Sequence, residues 1–197
     1  MTQVVTLHKI EFLVGSLNED LQELAAMVMK NYDKGYLMSK EETDIRYEDV
    51  RIDFNPQVQR IITRLCEEWK TAFGQEIESC YTGRLDQDHN ESVWAVVHNP
   101  GDITQLHTHE TAEDYRSGAH VSAAFWVQVP EDSGDFVFQY KRNPYLNEQT
   151  RIKSEPGKFL MFDSTMKHFV TKNRSQGQRI VVSMNFRFKE EEENGIN

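Results

Sequence analysis

Three histidines, an arginine and a serine in the second half of the chain are the residues whose types and spacing can do chemistry. His107 and His109, in Gln105-Leu106-His107-Thr108-His109, stand at i and i+2. In an extended segment their imidazoles emerge on one side and can meet a single ion without distorting the backbone. A third ligand must then come from elsewhere in the chain. His168 follows the apolar run Phe159-Leu160-Met161-Phe162 and opens another short β-rich run, as expected where two neighbouring strands converge on one metal. Structural histidines share this spacing, so the motif needs company to carry weight.

That company lies downstream, in Arg179-Ile180-Val181-Val182-Ser183-Met184-Asn185-Phe186. The alternation puts Ile180, Val182, Met184, Phe186 and Phe188 on one strand face and Arg179, Val181, Ser183, Asn185 and Arg187 on the other. The first face is core. The second faces solvent in an isolated strand. If it lines a barrel instead, the Arg179 guanidinium binds a carboxylate bidentately and the Ser183 hydroxyl adds a hydrogen bond.

Read in order, the His-x-His pair, His168, Arg179 and Ser183 resemble the HxD/E…H…R-x-x-x-S/T signature of the Fe(II)/2-oxoglutarate-dependent oxygenases, over residues 92 to 188. Several blocks look more closely like a small prolyl-hydroxylase-like branch with phage and bacterial members. They are Trp94-Ala95-Val96-Val97-His98-Asn99-Pro100-Gly101-Asp102, Ser122-Ala123-Ala124-Phe125-Trp126-Val127-Gln128-Val129-Pro130, Gly157-Lys158-Phe159-Leu160-Met161-Phe162 and the Arg179 strand. The resemblance implies a double-stranded β-helix, Fe(II), 2-oxoglutarate and O₂. It implies His107 and His168 as metal ligands, Arg179 and Ser183 on the cosubstrate's far carboxylate, and Trp126 and Asn99 in the cosubstrate pocket. The implied reaction couples 2-oxoglutarate decarboxylation to hydroxylation of a C–H bond, in peptidyl proline or a small amino-acid-like substrate, with no catalytic residue beyond the metal site.

The sequence departs from that family at the second ligand, where Asp or Glu is usual and this chain has His109. A carboxylate cancels part of the metal's charge; a neutral imidazole does not, although imidazole suits iron. His109 is the expected ligand, with Glu110 or Asp114 as the alternatives. Two other classes compete. A cupin-like three-His metalloenzyme without 2-oxoglutarate suits His109 but leaves Arg179 and Ser183 unused. A non-enzymatic β-sandwich binding module leaves the whole ordered set of blocks unexplained.

The elements that must position these residues fall into two halves. Ser16-Leu17-Asn18-Glu19 has capping-box spacing and opens a helix with Leu21, Leu24, Ala25 and Val28 on its apolar face. Asn55 and Pro56 open a second helix carrying Val58, Ile61, Ile62, Leu65, Trp69 and Phe73, which Gly74 stops. Between them, Lys34 to Asp53 reads as a polar surface connection. From Ser92 onward, short β-rich runs are separated by Gly, Pro, Asn and Asp: Ser92 to His98, His120 to Val129, Asp135 to Tyr140, Lys158 to Phe162, His168 to Lys172 and Arg179 to Phe188. The expected fold is mainly β with flanking helices, a jelly roll with the N-terminal helices packed on one sheet. A single oxygenase domain spans 1–188, with helical support over 1–80 and the β-helix core over 92–188; an acidic tail occupies 189–197. Lys34 to Asp53 and the loop between His109 and His120, with Asp114, Tyr115 and Arg116, are candidate lids or substrate contacts.

Composition narrows the partners. Of 197 residues, 22 are Lys or Arg and 32 are Asp or Glu, a net charge of -10. That balance disfavours nucleic acid, whose phosphates are neutralised by cations. A small molecule or peptide is the expected partner, and a homodimer is compatible with the sequence. Cys66 and Cys80 form no CxxC, which suits a reducing cytoplasm. No leader or apolar run of membrane-spanning length is read. Of the other histidines, His98 reads as an interior or rim residue, His120 as structural though near the pocket, His89 as exposed, and His8 as without a role.

Overall fold

The computed structural model describes residues 10–38, 47–52, 54–79, 92–109 and 119–189. The elements run β1 (Phe12–Ser16), α1 (Leu21–Asp33), β2 (Glu48–Arg51), α2 (Pro56–Phe73), β3 (Ile77–Glu78), β4 (Val93–His98), β5 (Thr104–His107), β6 (Val121–Gln128), β7 (Phe136–Asn143), β8 (Leu146–Ile152), β9 (Lys158–Asp163), β10 (His168–Val170) and β11 (Arg179–Phe188). The strands form two antiparallel sheets. The larger has the order β1-β9-β6-β11-β4-β2, with β3 added to β11; the smaller has the order β5-β10-β7-β8.

The alternation of β11 divides the apolar side chains between two cores. Ile180, Val182, Met184 and Phe186 are buried together with Leu24 and Val28 of α1 and Ile61 and Leu65 of α2. The two helices thus cover one face of the larger sheet, each fully buried aliphatic side chain stabilising by about 2 kcal/mol. From the opposite face, Val181 packs with Trp126, Leu160 and Phe162 of the larger sheet and with Phe136 and Phe138 of the smaller. This second core lies between the sheets, as expected for a jelly roll.

Helix α2 begins as its sequence requires. The Asn55 side chain accepts from the backbone N–H groups of Gln57 and Val58, Pro56 takes the first turn, and Gly74 at φ 70° ends the helix. The start of α1 differs from the expected capping box. Asp20 is the N-cap, accepting from Gln22 and Glu23, while Ser16 ends β1 paired with Lys158. Strand pairing therefore claims the serine, and a carboxylate four residues later takes over the orphan donors.

The polar stretch between the helices also departs from a plain surface connection. Its described parts fold back on each other, with Arg51 N donating to Tyr36 O and Met38 N to Asp49 O. Val50 and Ile52 are fully buried, and β2 forms an edge of the larger sheet beside β4. At the far end of the chain, Lys189 N still donates to Glu76 O. Among the described residues, no helix is long and apolar enough to cross a membrane. Cys66 is a free thiol; His8, His89 and Cys80 lie outside the described residues.

Candidate metal and cosubstrate site

The smaller sheet brings two of the histidines together by register. His168 on β10 is the direct antiparallel partner of His107 on β5. His109 follows two residues after β5's last residue, its backbone N–H held by Ser164 O at 3.0 Å. One ligand atom from each of the three rings lies within 4.8 Å of the others, and the Nε2 atoms of His107 and His109 are 3.2 Å apart.

Each ring is oriented through Nδ1. His107 Nδ1 is 2.8 Å from Gln105 O and His168 Nδ1 is 2.8 Å from Met166 O. A backbone carbonyl only accepts, so these two Nδ1 atoms carry hydrogen and donate, leaving the Nε2 lone pairs for a metal. His109 Nδ1 meets side chains instead, Asn185 Oδ1 at 3.0 Å and Ser122 Oγ at 2.9 Å. Phe136 stacks on His168 with ring centroids 4.9 Å apart. Burial, and then the neighbouring imidazoles, hold His109 down at about 4 and His168 well below its ordinary value; burial also lowers His107. All three rings are therefore neutral at neutral pH, the state that ligates.

The same cavity, about 190 Å³ in volume, is bounded by Arg179, Ser183 and Trp126. Its floor is the larger sheet, where β11 pairs Arg179 with His98, Val181 with Val96 and Ser183 with Trp94. Arg179 has 0% exposure, and its Nη1 donates to Ser133 O at 3.0 Å. Its Nε and Nη2 are buried without a hydrogen-bond partner among the described residues. Burial pushes this guanidinium down to about 10, against the opposing pull of Asp135. A buried guanidinium with two donors unspent is costly until an anion fills them, and their fork fits a carboxylate. A neutral imidazole cluster and an unsatisfied guanidinium in one cavity fit an oxo-acid that chelates a metal at one end and presents a carboxylate at the other.

Of the residues singled out from sequence, His107, His109, His168, Arg179, Ser183 and Trp126 share this cavity. Asn99 does not line it: its side chain donates to the Tyr32 hydroxyl and accepts from Gln178 Nε2, and its backbone N–H donates to Asp102 Oδ2. Those bonds make it a turn residue. Glu110 and Asp114 lie outside the described residues. His120 accepts the Phe188 backbone N–H at 2.9 Å and stacks on the Phe188 ring.

The structure adds wall residues that were not named individually from the sequence, two of them within the segment Lys34 to Asp53 expected as a lid or substrate contact. Tyr47 and Asp49 come from the β2 region, and Thr104 bonds His98 Nε2 at 2.7 Å through its hydroxyl. The Tyr47 ring stacks on His98 at 5.3 Å, and burial followed by Asp49 pushes its phenol up to about 12. A period-two signal was present in Tyr47, Asp49 and Arg51 against Glu48, Val50 and Ile52, masked by the charge of the segment.

Residues 92–185 match the model of a 2OG-Fe(II) oxygenase family. No curated protein matches the sequence. Among solved structures, a prolyl-4-hydroxylase from Pseudomonas putida superposes with a TM-score of 0.65 at 15% identity, over 92% of this chain and 94% of that one. A prolyl hydroxylase from Trichoplax adhaerens, solved with a hypoxia inducible factor oxygen degradation domain peptide fragment, gives 0.58 at 15% identity, over 89% and 82%. HygX from Streptomyces hygroscopicus, solved with nickel and 2-oxoglutarate bound, gives 0.57 at 11% identity, over 90% and 82%. Over residues 92–185 the chain is similar to the 2OG-Fe(II) oxygenases, and it shares the double-stranded β-helix fold of these structures. That family's name implies Fe(II) and 2-oxoglutarate, and the histidine cluster and Arg179 are of a chemistry that fits both.

Proposed function

We propose that this protein is a non-haem Fe(II) oxygenase that hydroxylates a C–H bond at the expense of 2-oxoglutarate. His107, His109 and His168 would hold the metal, and Arg179 with Ser183 the cosubstrate's far carboxylate. The observation that carries the reading is Arg179, a residue of the histidine cluster's cavity wall whose Nε and Nη2 are buried with no partner among the described residues. A three-His metalloenzyme without 2-oxoglutarate would leave those donors permanently unsatisfied, at a cost of about 1–3 kcal/mol for each buried group.

When bound, Fe(II) and 2-oxoglutarate supply the oxidising chemistry: O₂ converts the oxo-acid to succinate and CO₂ and gives its second oxygen atom to the substrate. The protein's contribution is placement. Three neutral imidazoles would bring no charge to a metal, whose charge would then be offset by an anionic cosubstrate. Trp126, Val181 and Val96 give the cavity apolar walls that exclude water between the two polar ends. A peptidyl proline or a small amino-acid-like molecule is the proposed substrate, supported by the likeness to the two prolyl hydroxylases.

The test is incubation of the Fe(II)-loaded protein with 2-oxoglutarate, O₂ and proline-rich peptides or free amino acids, followed by mass spectrometry. The proposal expects succinate release and gain of one oxygen atom by a substrate, both lost in Arg179→Ala. Succinate release without Arg179 dependence would contradict the assignment.

A further inference from the structure

The hydrogen-bond network behind His109 is built differently from those behind the other two histidines. His107 and His168 each donate Nδ1–H to a backbone carbonyl, which no substitution of its own side chain removes. His109 alone depends on side chains, drawn from two central strands of the larger sheet. Asn185 of β11 and Ser122 of β6 are paired in register there, and both lie behind the His109 ring.

The proton on His109 follows from its contact with Asn185. Ser122 Oγ donates to Asn185 Oδ1 at 2.9 Å. Ser164 Oγ also lies 2.9 Å from Ser122 Oγ, where either hydroxyl can be the donor. Asn185 Oδ1 has no hydrogen at all. Asn185 Oδ1 touches His109 Nδ1 at 3.0 Å and can only accept, so Nδ1 carries the proton. That fixes the tautomer with a bare Nε2, and it is Nε2 that stands 3.2 Å from His107 Nε2. With the Asn185 amide turned over, its NH₂ would donate to Nδ1, the proton would move to Nε2, and His109 would be unable to ligate.

We propose that Asn185 is the positioning residue for His109, with Ser122 as its support: it selects the ligating tautomer and aims the ring at the metal. The inference rests on the reading of His109 as a metal ligand and deepens it. Where a carboxylate ligand needs no tautomer, an imidazole in its place does, and Asn185 supplies that condition from the opposite sheet.

The experiment compares wild type, Asn185→Asp, Asn185→Leu and Ser122→Ala as full-length apoproteins. Long-range ¹H–¹⁵N correlation reads the His109 tautomer, and titration with Co(II) reads metal affinity. Asp has acceptors at both oxygens and cannot present a donor while ionised. Asn185→Asp is therefore expected to keep Nδ1–H and to bind Co(II) as tightly as wild type or tighter. Asn185→Leu is expected to lose the single tautomer and about 10–100-fold in affinity, with Ser122→Ala between the two.

Loss of Co(II) affinity in Asn185→Asp overturns the proposal, because that pattern belongs to an asparagine needed for its NH₂. Unchanged affinity and tautomer in a folded Asn185→Leu overturns it too, as does a wild type that binds no Co(II). If Co(II) binds as described but 2-oxoglutarate does not, the positioning role stands and the cosubstrate assignment alone fails.

Discussion

His168 stands directly opposite His107 where β10 pairs with β5, so the backbone register of the smaller sheet sets the distance between two of the three imidazoles. The pairing is irregular between His168 and Val170, a local departure that re-aims side chains and is common beside functional sites. Because the register comes from main-chain bonds, the site survives as a scaffold when one ring is removed. His168→Ala and His107→Ala are expected to retain the wild-type far-UV circular dichroism spectrum and to lose Co(II) binding. A His168→Ala protein that titrates with Co(II) like wild type would contradict the ligand assignment.

Arg179 separates binding from folding. Its guanidinium is fully buried with two donors unspent, so the apoprotein bears the desolvation without the return. Arg179→Met is expected to leave the thermal midpoint of the apoprotein unchanged or raised. In the metal-loaded protein, 2-oxoglutarate at a hundred times its Kd stabilises wild type by about 2.7 kcal/mol, and Arg179→Met gains nothing. Differential scanning fluorimetry with and without 2-oxoglutarate reads both effects.

The carbonyl that holds Arg179 belongs to Ser133, next to Gly134 at φ +92°. A Cβ at Gly134 would clash with the carbonyl oxygen of Thr171, which is backbone and has no easy retreat. Gly35, at φ +71°, has open space around it. Gly134→Ala is therefore expected to destabilise by well over about 1 kcal/mol, and Gly35→Ala by about 1 kcal/mol from backbone strain alone. Urea unfolding measures the difference; equal losses would mean that the clash is relieved by movement of the turn.

Cys66 gives the pH dependence. Burial, reinforced by Glu67 and Glu78 against the pull of Lys189, raises its thiol from 9.0 to about 11. The fold thus favours the neutral thiol. Its contribution is fully present below pH 9 and is lost as the pH rises through 11. Compared with Cys66→Ala, wild type should lose additional stability across that window and none below it, as read by unfolding at a series of pH values.

Much of this architecture was legible from local patterns. Asn55-Pro56 and Gly74 bounded α2 because capping and left-handed turns are local chemistry, and the alternation of β11 foretold both its faces. What escaped depended on partners distant in sequence. β8 is exposed along most of its length and lacks an apolar face, so nothing in Leu146–Ile152 marks it as a strand apart from its pairing with β7. β2 was hidden by its charges, although Val50 and Ile52 are buried; its segment was expected as a lid or substrate contact, without Tyr47 and Asp49 of the cavity wall being named. Ser16 and Glu19 had the spacing of a cap, but pairing of β1 with β9 took Ser16 into a strand. Asn99 was placed with the cosubstrate by likeness, whereas its hydrogen bonds hold a turn. Asn185 was assigned to the right face, yet its link to His109 joins residues on different elements and has no sequence signature.

One cavity is proposed to hold a metal on His107, His109 and His168 and an oxo-acid on Arg179. Anaerobic addition of Fe(II) and 2-oxoglutarate to the apoprotein, followed by visible absorption, tests it most directly. The weak charge-transfer band of a chelated 2-oxo-acid is expected in wild type, and its loss at the same 2-oxoglutarate concentration in Arg179→Ala. A folded wild-type protein that binds Fe(II) and shows no such band would contradict it.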